Sequence, residues 1–235
     1  MMEYVFSPPQ PATVALAGES TRFPVRRIFC VGRNYAAHAR EMGKDPDRDP
    51  PFFFTKPADA VVDSGEVVPY PPETSNFHYE IELVVAIGRE GFEISRDAAL
   101  DHVFGYAVGL DLTRRDLQFE ARDKGRPWDW GKAFDRSAPV APIHRVRDGH
   151  HLAKGRIWLA VNGDIKQDAD LAELIWSVPD VISIVSRSMV IKPGDLIMTG
   201  TPAGVGPIVT GDTITGGIDG LGGIETVIGA AAGAG

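Results

Sequence analysis

The stretch Asn76-Phe77-His78-Tyr79-Glu80-Ile81-Glu82-Leu83-Val84-Val85-Ala86-Ile87-Gly88 places two carboxylates directly before an apolar run. Residues 83–87 are rich in β-branched side chains and predict a buried strand. Side chains two residues apart on a strand point to the same face, so Glu80 and Glu82 are expected side by side. Two like charges beside a buried strand are costly unless positive charge compensates them.

A second apolar run, Phe104-Gly105-Tyr106-Ala107-Val108-Gly109-Leu110, ends on another carboxylate, Asp111. We interpret the two runs as neighbouring strands that bring Glu80, Glu82 and Asp111 around one hard divalent cation. The alternative is that both glutamates lie on the solvent face of an edge strand, which is the commoner setting of an isolated Glu-x-Glu pair. The residues alone leave both interpretations open.

The composition is that of a folded domain with an acidic balance. The chain has 235 residues, 43% of them hydrophobic, which is enough for one large domain or one domain with a small appendage. Its 24 basic and 32 acidic residues give a formal net charge of −8, which argues against nucleic-acid and anionic-membrane partners. An anionic substrate is not excluded, because a bound metal can reverse the local sign of the charge.

The cysteine content and the apolar runs of the sequence indicate where the protein is located in the cell. Cys30 is the single cysteine, which excludes an internal disulfide and agrees with a reducing cytoplasm. No apolar run reaches about 18 residues and the N-terminus lacks a signal pattern, so we expect a cytoplasmic protein. We divide the chain into a short lead-in (1–25), one catalytic domain (26–228) and a flexible tail (229–235).

A short helix near the N-terminus is a candidate lid. Residues 33–43 have a compact helical pattern with Asn34 as the expected N-cap. Within it His38 and Glu41 are three residues apart, so their side chains share a face and can touch. A helix of about ten residues beside the polar, proline-rich segment 44–51 is marginal on its own, as lids often are. The alternative is an ordinary surface helix with a His–Glu pair.

Two other elements can be placed from their patterns. Residues 113–124 are helical in pattern, with Leu117 and Ala121 facing inward and Arg115 facing mostly water. Residues 157–166 predict a hairpin with an Asn-Gly turn.

A glycine- and threonine-rich loop follows the predicted strand Leu196-Ile197-Met198. It reads Thr199-Gly200-Thr201-Pro202-Ala203-Gly204-Val205-Gly206-Pro207. Backbone N–H groups and hydroxyls in such a loop can hold a carboxylate. Without a match elsewhere it would be only a glycine-rich turn.

Five blocks of the chain, in order, resemble the fumarylacetoacetate hydrolase family, over about residues 28–223. The order of the blocks makes chance similarity implausible. The blocks are Gly32-Arg33-Asn34-Tyr35 with His38 and Glu41, His78-Tyr79-Glu80-Ile81-Glu82-Leu83, Gly109-Leu110-Asp111-Leu112-Thr113-Arg114-Arg115-Asp116, Gly131-Lys132-Ala133-Phe134-Asp135, and Thr199-Gly200-Thr201-Pro202 with Gly204-Val205-Gly206-Pro207.

The resemblance implies an α+β fold that is mainly β, a mixed β-sandwich roll with short helices and a lid helix. It also implies a homodimer with one Mg²⁺ or Mn²⁺ per subunit. The matched metal ligands are Glu80, Glu82 and Asp111, and the matched lid dyad is His38 and Glu41.

The remaining site residues are expected around the substrate. Lys132 would offset charge on the substrate oxygens as a third catalytic residue, and the loop from Thr199 through Gly200 to Thr201 would hold a carboxylate. Arg115 and Gln118 fall where the family places further polar groups. A distal substrate carboxylate would need a cation, for which Arg33, Arg40 and Arg126 are the candidates, although each is more often a surface arginine.

The resemblance implies a metal-dependent hydrolase that cleaves the carbon–carbon bond of a small anionic 2,4-dioxo acid, an acylpyruvate. His38 would act as the general base, oriented by Glu41, and the cation would stabilise the departing pyruvate enolate. The chain is short for the family and is most similar to its bacterial fumarylpyruvate hydrolases of gentisate breakdown. Alternatives are oxaloacetate decarboxylation, isomerisation of 2-hydroxyhepta-2,4-diene-1,7-dioate and, more remotely, a non-catalytic metal-binding role.

Overall fold

A computed structural model of the chain describes residues 4–41 and 50–231, and most of its regular structure is strand. The strands are β1 (Thr13–Ala15), β2 (Arg22–Pro24), β3 (Arg27–Gly32), β4 (Phe52–Lys56), β5 (Val61–Asp63), β6 (Val67–Pro69), β7 (Phe77–Tyr79), β8 (Ile81–Ile87), β9 (Val103–Leu110), β10 (Thr113–Arg114), β11 (Ala138–Val140), β12 (His144–Arg145), β13 (Arg156–Val161), β14 (Asp164–Asp170), β15 (Asp195–Met198), β16 (Gly206–Pro207), β17 (Thr213–Ile218) and β18 (Gly222–Gly229). The α-helices are α1 (Ala36–Glu41), α2 (Arg115–Asp123), α3 (Asp129–Lys132) and α4 (Val178–Ser188), and the 3₁₀ turns are Ala58–Ala60, Arg96–His102 and Leu171–Glu173.

The largest sheet has eight strands and contains both predicted carboxylate-tipped strands. Its order is β4-β3-β15-β8-β9-β11-β5, with β12 paired to β9. Every residue of β8 is buried because both faces of this sheet are covered. Leu83 and Val85 belong to the larger core cluster, while Val84 and Ala86 belong to a second cluster on the other face.

A five-stranded sheet, in the order β14-β13-β17-β18-β6, contributes the other side of the larger core through residues such as Ile157 and Ile214. The predicted hairpin is confirmed: Asn162 and Gly163 join β13 to β14 with positive φ angles of 52° and 88°. Both angles are those of a tight hairpin turn, which favours Asn-Gly. The predicted mainly β, mixed architecture with short helices is therefore confirmed.

The N-terminal strands cover the second core cluster. Strands β1 and β2 form an antiparallel hairpin whose Val14 and Phe23 pack in that cluster with Ile28 and Met198. The division into 1–25, 26–228 and 229–235 stays a prediction, and residues 232–235 lie outside the described part of the chain.

The lid helix begins later than its pattern predicts, and Asn34 is not its N-cap. Helix α1 starts at Ala36, and the buried Asn34 side chain faces another part of the chain. Its amide nitrogen donates to the carbonyls of Trp176 and Thr199 at 2.9 and 2.8 Å, and its amide oxygen accepts from Trp176 N at 2.7 Å. Asn34 therefore ties the base of α1 to two distant loops instead of capping the helix.

The predicted helix at 113–124 was also wrong at its start and in its inward face. Thr113 and Arg114 form β10, which pairs with β7, and α2 begins at Arg115. The buried residues of α2 are Arg115 and Gln118, whereas Leu117 is only partly buried. The helix turns its polar side inward because Arg115 on that side forms an ion pair with the buried carboxylate of Glu80.

Within the described residues, no helix combines the length and apolar character needed to span a bilayer.

Candidate functional site

Three carboxylates meet on one face at the end of the eight-stranded sheet. Glu80 lies at the junction of β7 and β8, and its carbonyl accepts from Asp111 N at 2.9 Å across the strand pair. Glu82 lies two residues further along, opposite Gly109, so all three side chains point the same way. One carboxylate oxygen from each lies within 4.8 Å of the others. The solvent-face alternative is excluded, because all three residues are at most 4% exposed.

Lys132 compensates two of these carboxylates. Helix α3 carries its ammonium group to 2.8 Å from Glu80 Oε2 and 2.7 Å from Asp111 Oδ2, and it also donates to Thr113 Oγ1 at 2.7 Å. A lysine that is 2% exposed needs such partners, because burying an unpaired ammonium is very costly. The ammonium therefore belongs to the floor of the site.

Arg115 is the second compensating cation. Its guanidinium forms a short ion pair with Glu80 Oε1 and donates to Gln118 Oε1 at 2.6 Å. Its Nε lies 3.4 Å from His78 Nδ1. Burial, and then the neighbouring Arg115 charge, lower the pKa of His78 to about 4, which keeps this imidazole neutral.

Lys56 is the third cation, and the sequence analysis did not assign it to the site. Its ammonium lies 2.9 Å from Asp111 Oδ1 and donates to Leu112 O at 3.1 Å and to the carbonyl of Lys132. The available signal was a lysine at the end of the Phe-rich strand β4. If such a strand is buried, a lysine at its end is buried too, and its ammonium then needs an acceptor or a negative charge in the interior.

The two glutamates have opposite electrostatic environments. Burial alone would raise the pKa of Glu80, but Lys132 and Arg115 outweigh it and hold the pKa well below its usual range. Burial raises the pKa of Glu82 well above its usual range, and the charges of Asp111 and Glu80 add to this effect. Gly200 N donates to Glu82 Oε2 at 2.7 Å, which lowers the pKa of Glu82 but does not outweigh these effects. The metal-free site therefore favours a proton on Glu82.

A cavity of about 20 Å³ opens directly above the carboxylates, which is room for one water or one small ion. Trp128 and Phe54 form an apolar wall, with ring centroids 5.7 Å apart. The predicted site residues that line the cavity are Arg33, His38, Glu80, Glu82, Asp111, Arg115, Gln118, Lys132 and Thr201.

The glycine–threonine loop contributes to the cavity only through Thr201. The Thr199 hydroxyl donates to Leu83 O at 3.0 Å, and Gly200 N is taken by Glu82. The prediction that Thr199 and Gly200 hold a substrate carboxylate is therefore not supported by their contacts, since both attach the loop to β8. Gly200 is also sterically required, because its φ is 98° and an added Cβ would lie 2.8 Å from Asn34 Cβ.

Of the predicted lid dyad, the structure describes the side chain of His38 but not that of Glu41. His38 is 6% exposed and lines the cavity from α1. The backbone of Glu41 ends that helix, but its side chain lies outside the described atoms, as does the side chain of Arg40. The pairing of His38 with Glu41 stays a prediction.

The donor set fits a hard divalent cation. Carboxylate oxygens are the ligands that Mg²⁺ and Mn²⁺ prefer, and three of them converge beside a cavity of ionic size. Asp111 Oδ1 is buried and receives no aligned hydrogen bond, although Lys56 lies within ion-pair distance. Among the described residues, Glu80, Glu82 and Asp111 are therefore the side chains that would hold a metal.

The preceding geometry is that of a mainly β protein with a buried divalent-metal site. The profile of the family described as fumarylacetoacetate (FAA) hydrolase C-terminal matches residues 27–229. The chain belongs to the fumarylacetoacetate hydrolase family.

Individual relatives are similar over most of the chain. A fumarylpyruvate hydrolase from a Ralstonia species is 47% identical over 192 residues, covering 81% of this chain and 100% of that protein. The mitochondrial oxaloacetate tautomerase of Bos taurus is 43% identical over 199 residues, covering 83% of this chain and 88% of that protein. The crystal structure of fumarylpyruvate hydrolase from Pseudomonas aeruginosa, in complex with Mn²⁺ and pyruvate, has a TM-score of 0.95 and 51% identity, covering 97% of this chain and 100% of that chain.

Proposed function

We propose that this protein is a metal-dependent hydrolase that cleaves fumarylpyruvate, a 2,4-dioxo acid, into fumarate and pyruvate. The observation that carries the proposal is the convergence of three buried carboxylates, His38 and Lys132 on one cavity. The 51% identity to a fumarylpyruvate hydrolase crystallised with Mn²⁺ and pyruvate supports the choice of substrate. The reaction would belong to aromatic catabolism by way of gentisate.

The chain's own residues account for the proton transfers. His38 takes a proton from the water that attacks the C4 carbonyl, which makes the water nucleophilic at neutral pH. The C3–C4 bond then breaks, its electron pair stays with the pyruvate fragment, and C3 takes up the proton that His38 removed from the water, while the new carboxyl group of fumarate loses its proton to solvent. When bound, a divalent cation would supply Lewis-acid stabilisation of the charge on the pyruvate oxygens.

The charge of the site suits a dianionic substrate. The carboxylates of Glu80, Glu82 and Asp111, when ionised, are balanced by Lys56, Lys132 and Arg115. A divalent cation held there leaves the site with two positive charges. Fumarylpyruvate brings two carboxylates, so the loaded site and the substrate are complementary in charge.

Of the three arginines considered for the distal carboxylate, Arg33 is supported best. Arg33 lines the cavity, whereas Arg126 lines a separate groove with Glu73 and Trp130. The backbone of Arg33 has a φ of 61°, a left-handed conformation that is uncommon outside glycine. The guanidinium carbon lies 5.1 Å from the centroid of the Phe52 ring.

A second candidate activity is the tautomerisation of oxaloacetate. The 43% identity to the bovine mitochondrial oxaloacetate tautomerase favours it. Oxaloacetate is also a 2-oxo dicarboxylate, so the same carboxylates and cations could bind it. A lid histidine that activates water is needed for hydrolysis, and this requirement favours the hydrolase.

A small substrate panel tests the proposal. Fumarylpyruvate, acetylpyruvate and oxaloacetate are each incubated with purified protein and Mn²⁺ or Mg²⁺, with a chelated sample as control. We expect metal-dependent loss of the enol absorbance of fumarylpyruvate with equimolar pyruvate and fumarate. Loss of enol absorbance without pyruvate from any dioxo acid would favour the tautomerase and contradict the hydrolase.

We further propose a cytoplasmic homodimer. The exposed apolar side chains of Val67, Phe92 and Trp130 offer surface that a second copy could cover. Light scattering during size-exclusion chromatography tests the dimer, and a mass of one subunit would contradict it.

A further inference from the structure

Gln167 is a buried amide on β14, a strand whose first three residues and Asp168 are exposed. Its neighbours Lys166 and Asp168 on β14 are exposed, whereas Gln167 is 1% exposed. A register shift against β13 at Leu159 and Ala160 occurs at this point. Gln167 itself lies opposite the buried core residue Leu159, so its side chain points to the same inner face.

Three of the four hydrogen-bonding positions of this amide are occupied, including both N–H donors. Gln167 Oε1 accepts from Ile81 N at 3.0 Å, and Nε2 donates to Thr201 Oγ1 and to Pro202 O, both at 2.8 Å. Ile81 N can only donate and Pro202 O can only accept, so the orientation of the amide is unambiguous. The two ends of one side chain therefore hold two different parts of the site.

The first of these parts is the start of β8, next to the metal-site carboxylates. Ile81 lies between Glu80 and Glu82, so a bond to its N–H fixes the backbone from which both side chains start. The second part is the loop that carries Thr201 to the cavity. Gln167 thus sets the distance between the carboxylates and the Thr201 hydroxyl.

The same contact determines which way the hydroxyl donates. Thr201 Oγ1 already accepts a proton from Gln167, and its own hydrogen has no acceptor among residues 4–41 and 50–231. A hydroxyl has a single proton to give, so this proton is left for a group in the cavity. An oxygen acceptor such as a carboxylate fits that position, and a donor group does not.

We propose that Gln167 is a positioning residue that turns the Thr201 hydroxyl into a fixed hydrogen-bond donor for the carboxylate of a 2-oxo acid. The inference rests on the proposed function, because it takes a 2-oxo acid as the ligand. Gln167 does not touch the ligand. It acts through Thr201, and it also keeps that hydroxyl in register with the carboxylates.

A double-mutant cycle on ligand binding tests this role. The probe is pyruvate in the presence of saturating Mn²⁺, measured by calorimetry, so that no turnover is needed. We expect Thr201→Val to weaken pyruvate binding about ten- to hundredfold, the loss of one hydrogen bond to a charged group. Thr201→Ser should retain most of the affinity, because it keeps the hydroxyl.

Gln167→Met should weaken pyruvate binding about three- to tenfold alone and hardly at all when added to Thr201→Val. A loss that is equal in both backgrounds would show that Gln167 only supports the fold, and the proposal would be wrong. Affinity for Mn²⁺ should be unchanged in both Thr201 variants, because neither touches the carboxylates, and saturating Mn²⁺ keeps any loss of metal affinity in Gln167→Met out of the pyruvate comparison. Gln10→Met, at an exposed position, is the matched control and should match wild type.

Gln167→Glu covers the case in which the methionine variant does not fold. It keeps an acceptor for Ile81 N, but the carboxylate, when ionised, draws the Thr201 proton toward itself. Pyruvate affinity should then fall at least as far as in Thr201→Val, and wild-type affinity would overturn the proposal. Wild-type protein that binds Mn²⁺ but no pyruvate would instead count against the proposed function.

Discussion

The ammonium of Lys56 lies 2.9 Å from Asp111 Oδ1, and both side chains are almost completely buried. An ion pair in this setting gains its Coulomb energy only after a large desolvation cost, and it is stable when further hydrogen bonds satisfy both partners. Lys56 has these in the carbonyls of Leu112 and Lys132. The pair therefore ties one carboxylate of the site to the segment that carries Lys132.

Removing this cation should destabilise the metal-free protein more than the loaded one. We expect Lys56→Met to lower the free energy of unfolding by about 3–5 kcal/mol, because it leaves a buried carboxylate short of positive charge. Mn²⁺ should raise the melting temperature more in this variant than in wild type, since it supplies charge beside the same carboxylate. Lys192→Met, whose exposed ammonium lies 3.2 Å from Glu90, is the control and should change stability by less than about 0.5 kcal/mol.

Replacing a ligand carboxylate should abolish metal binding. Glu82→Gln keeps the shape of the side chain and its contact with Gly200 N but removes the negative charge. We expect no detectable Mn²⁺ binding by calorimetry and no turnover of any dioxo acid. Glu66→Gln, at an exposed ion pair with Arg136, should bind and turn over as wild type does. Normal Mn²⁺ affinity in Glu82→Gln would remove this residue from the metal site.

Metal binding should release a proton and strengthen with pH. Burial, with Asp111 and Glu80 nearby, raises the pKa of Glu82, so the metal-free side chain holds a proton that the metal must displace. Below that pKa, Mn²⁺ affinity should rise with pH by up to about tenfold per unit. Calorimetry in buffers of different ionisation enthalpy measures the proton directly. A binding heat that is the same in every buffer would contradict the prediction.

The general base should be needed for turnover but not for the metal. His38→Ala is expected to reduce kcat by roughly 10²- to 10⁴-fold, the usual contribution of general-base catalysis. Its Mn²⁺ affinity should match wild type, because His38 is not one of the converging carboxylates. His150→Ala, at an exposed histidine, controls for non-specific effects. A normal kcat in His38→Ala would refute the assignment.

Substrate choice should depend on Arg33. We expect Arg33→Met to lower kcat/KM for fumarylpyruvate about ten- to hundredfold while acetylpyruvate, which lacks the distal carboxylate, is affected much less. Arg126→Met, which changes an arginine outside the cavity, should leave the ratio of the two substrates unchanged. An unchanged ratio in Arg33→Met would assign the distal carboxylate to another group.

The parts of the structure that follow from local pattern were predictable. Strands β8 and β9 are continuous apolar runs, and the period of two along a strand puts Glu80 and Glu82 on one face. The convergence of Asp111 with them needed only the pairing of two neighbouring runs. The Asn162-Gly163 turn was equally local.

The predictions that were wrong or missing concern residues whose contacts lie far away in the sequence. The inward face of α2 is polar because Arg115 meets Glu80, and a count of apolar residues assigns such a face to solvent. Lys56 and Leu112 are 56 positions apart, so the Phe-rich strand before Lys56 indicates burial but does not show which partners the ammonium meets. Gln167 stands between exposed residues, and its inward direction follows from its register opposite the buried Leu159, which the sequence around Gln167 does not show.

The bond from Gly200 N to Glu82 joins residues 118 positions apart. During synthesis, a nascent chain that has emerged only as far as β14 already carries all three carboxylates but lacks the loop after β15 that supplies this amide. Contacts of such long sequence separation form late and slow the search for the native topology. Ion capture is therefore expected to be among the last events of maturation, after the ribosome has released the C-terminal strands.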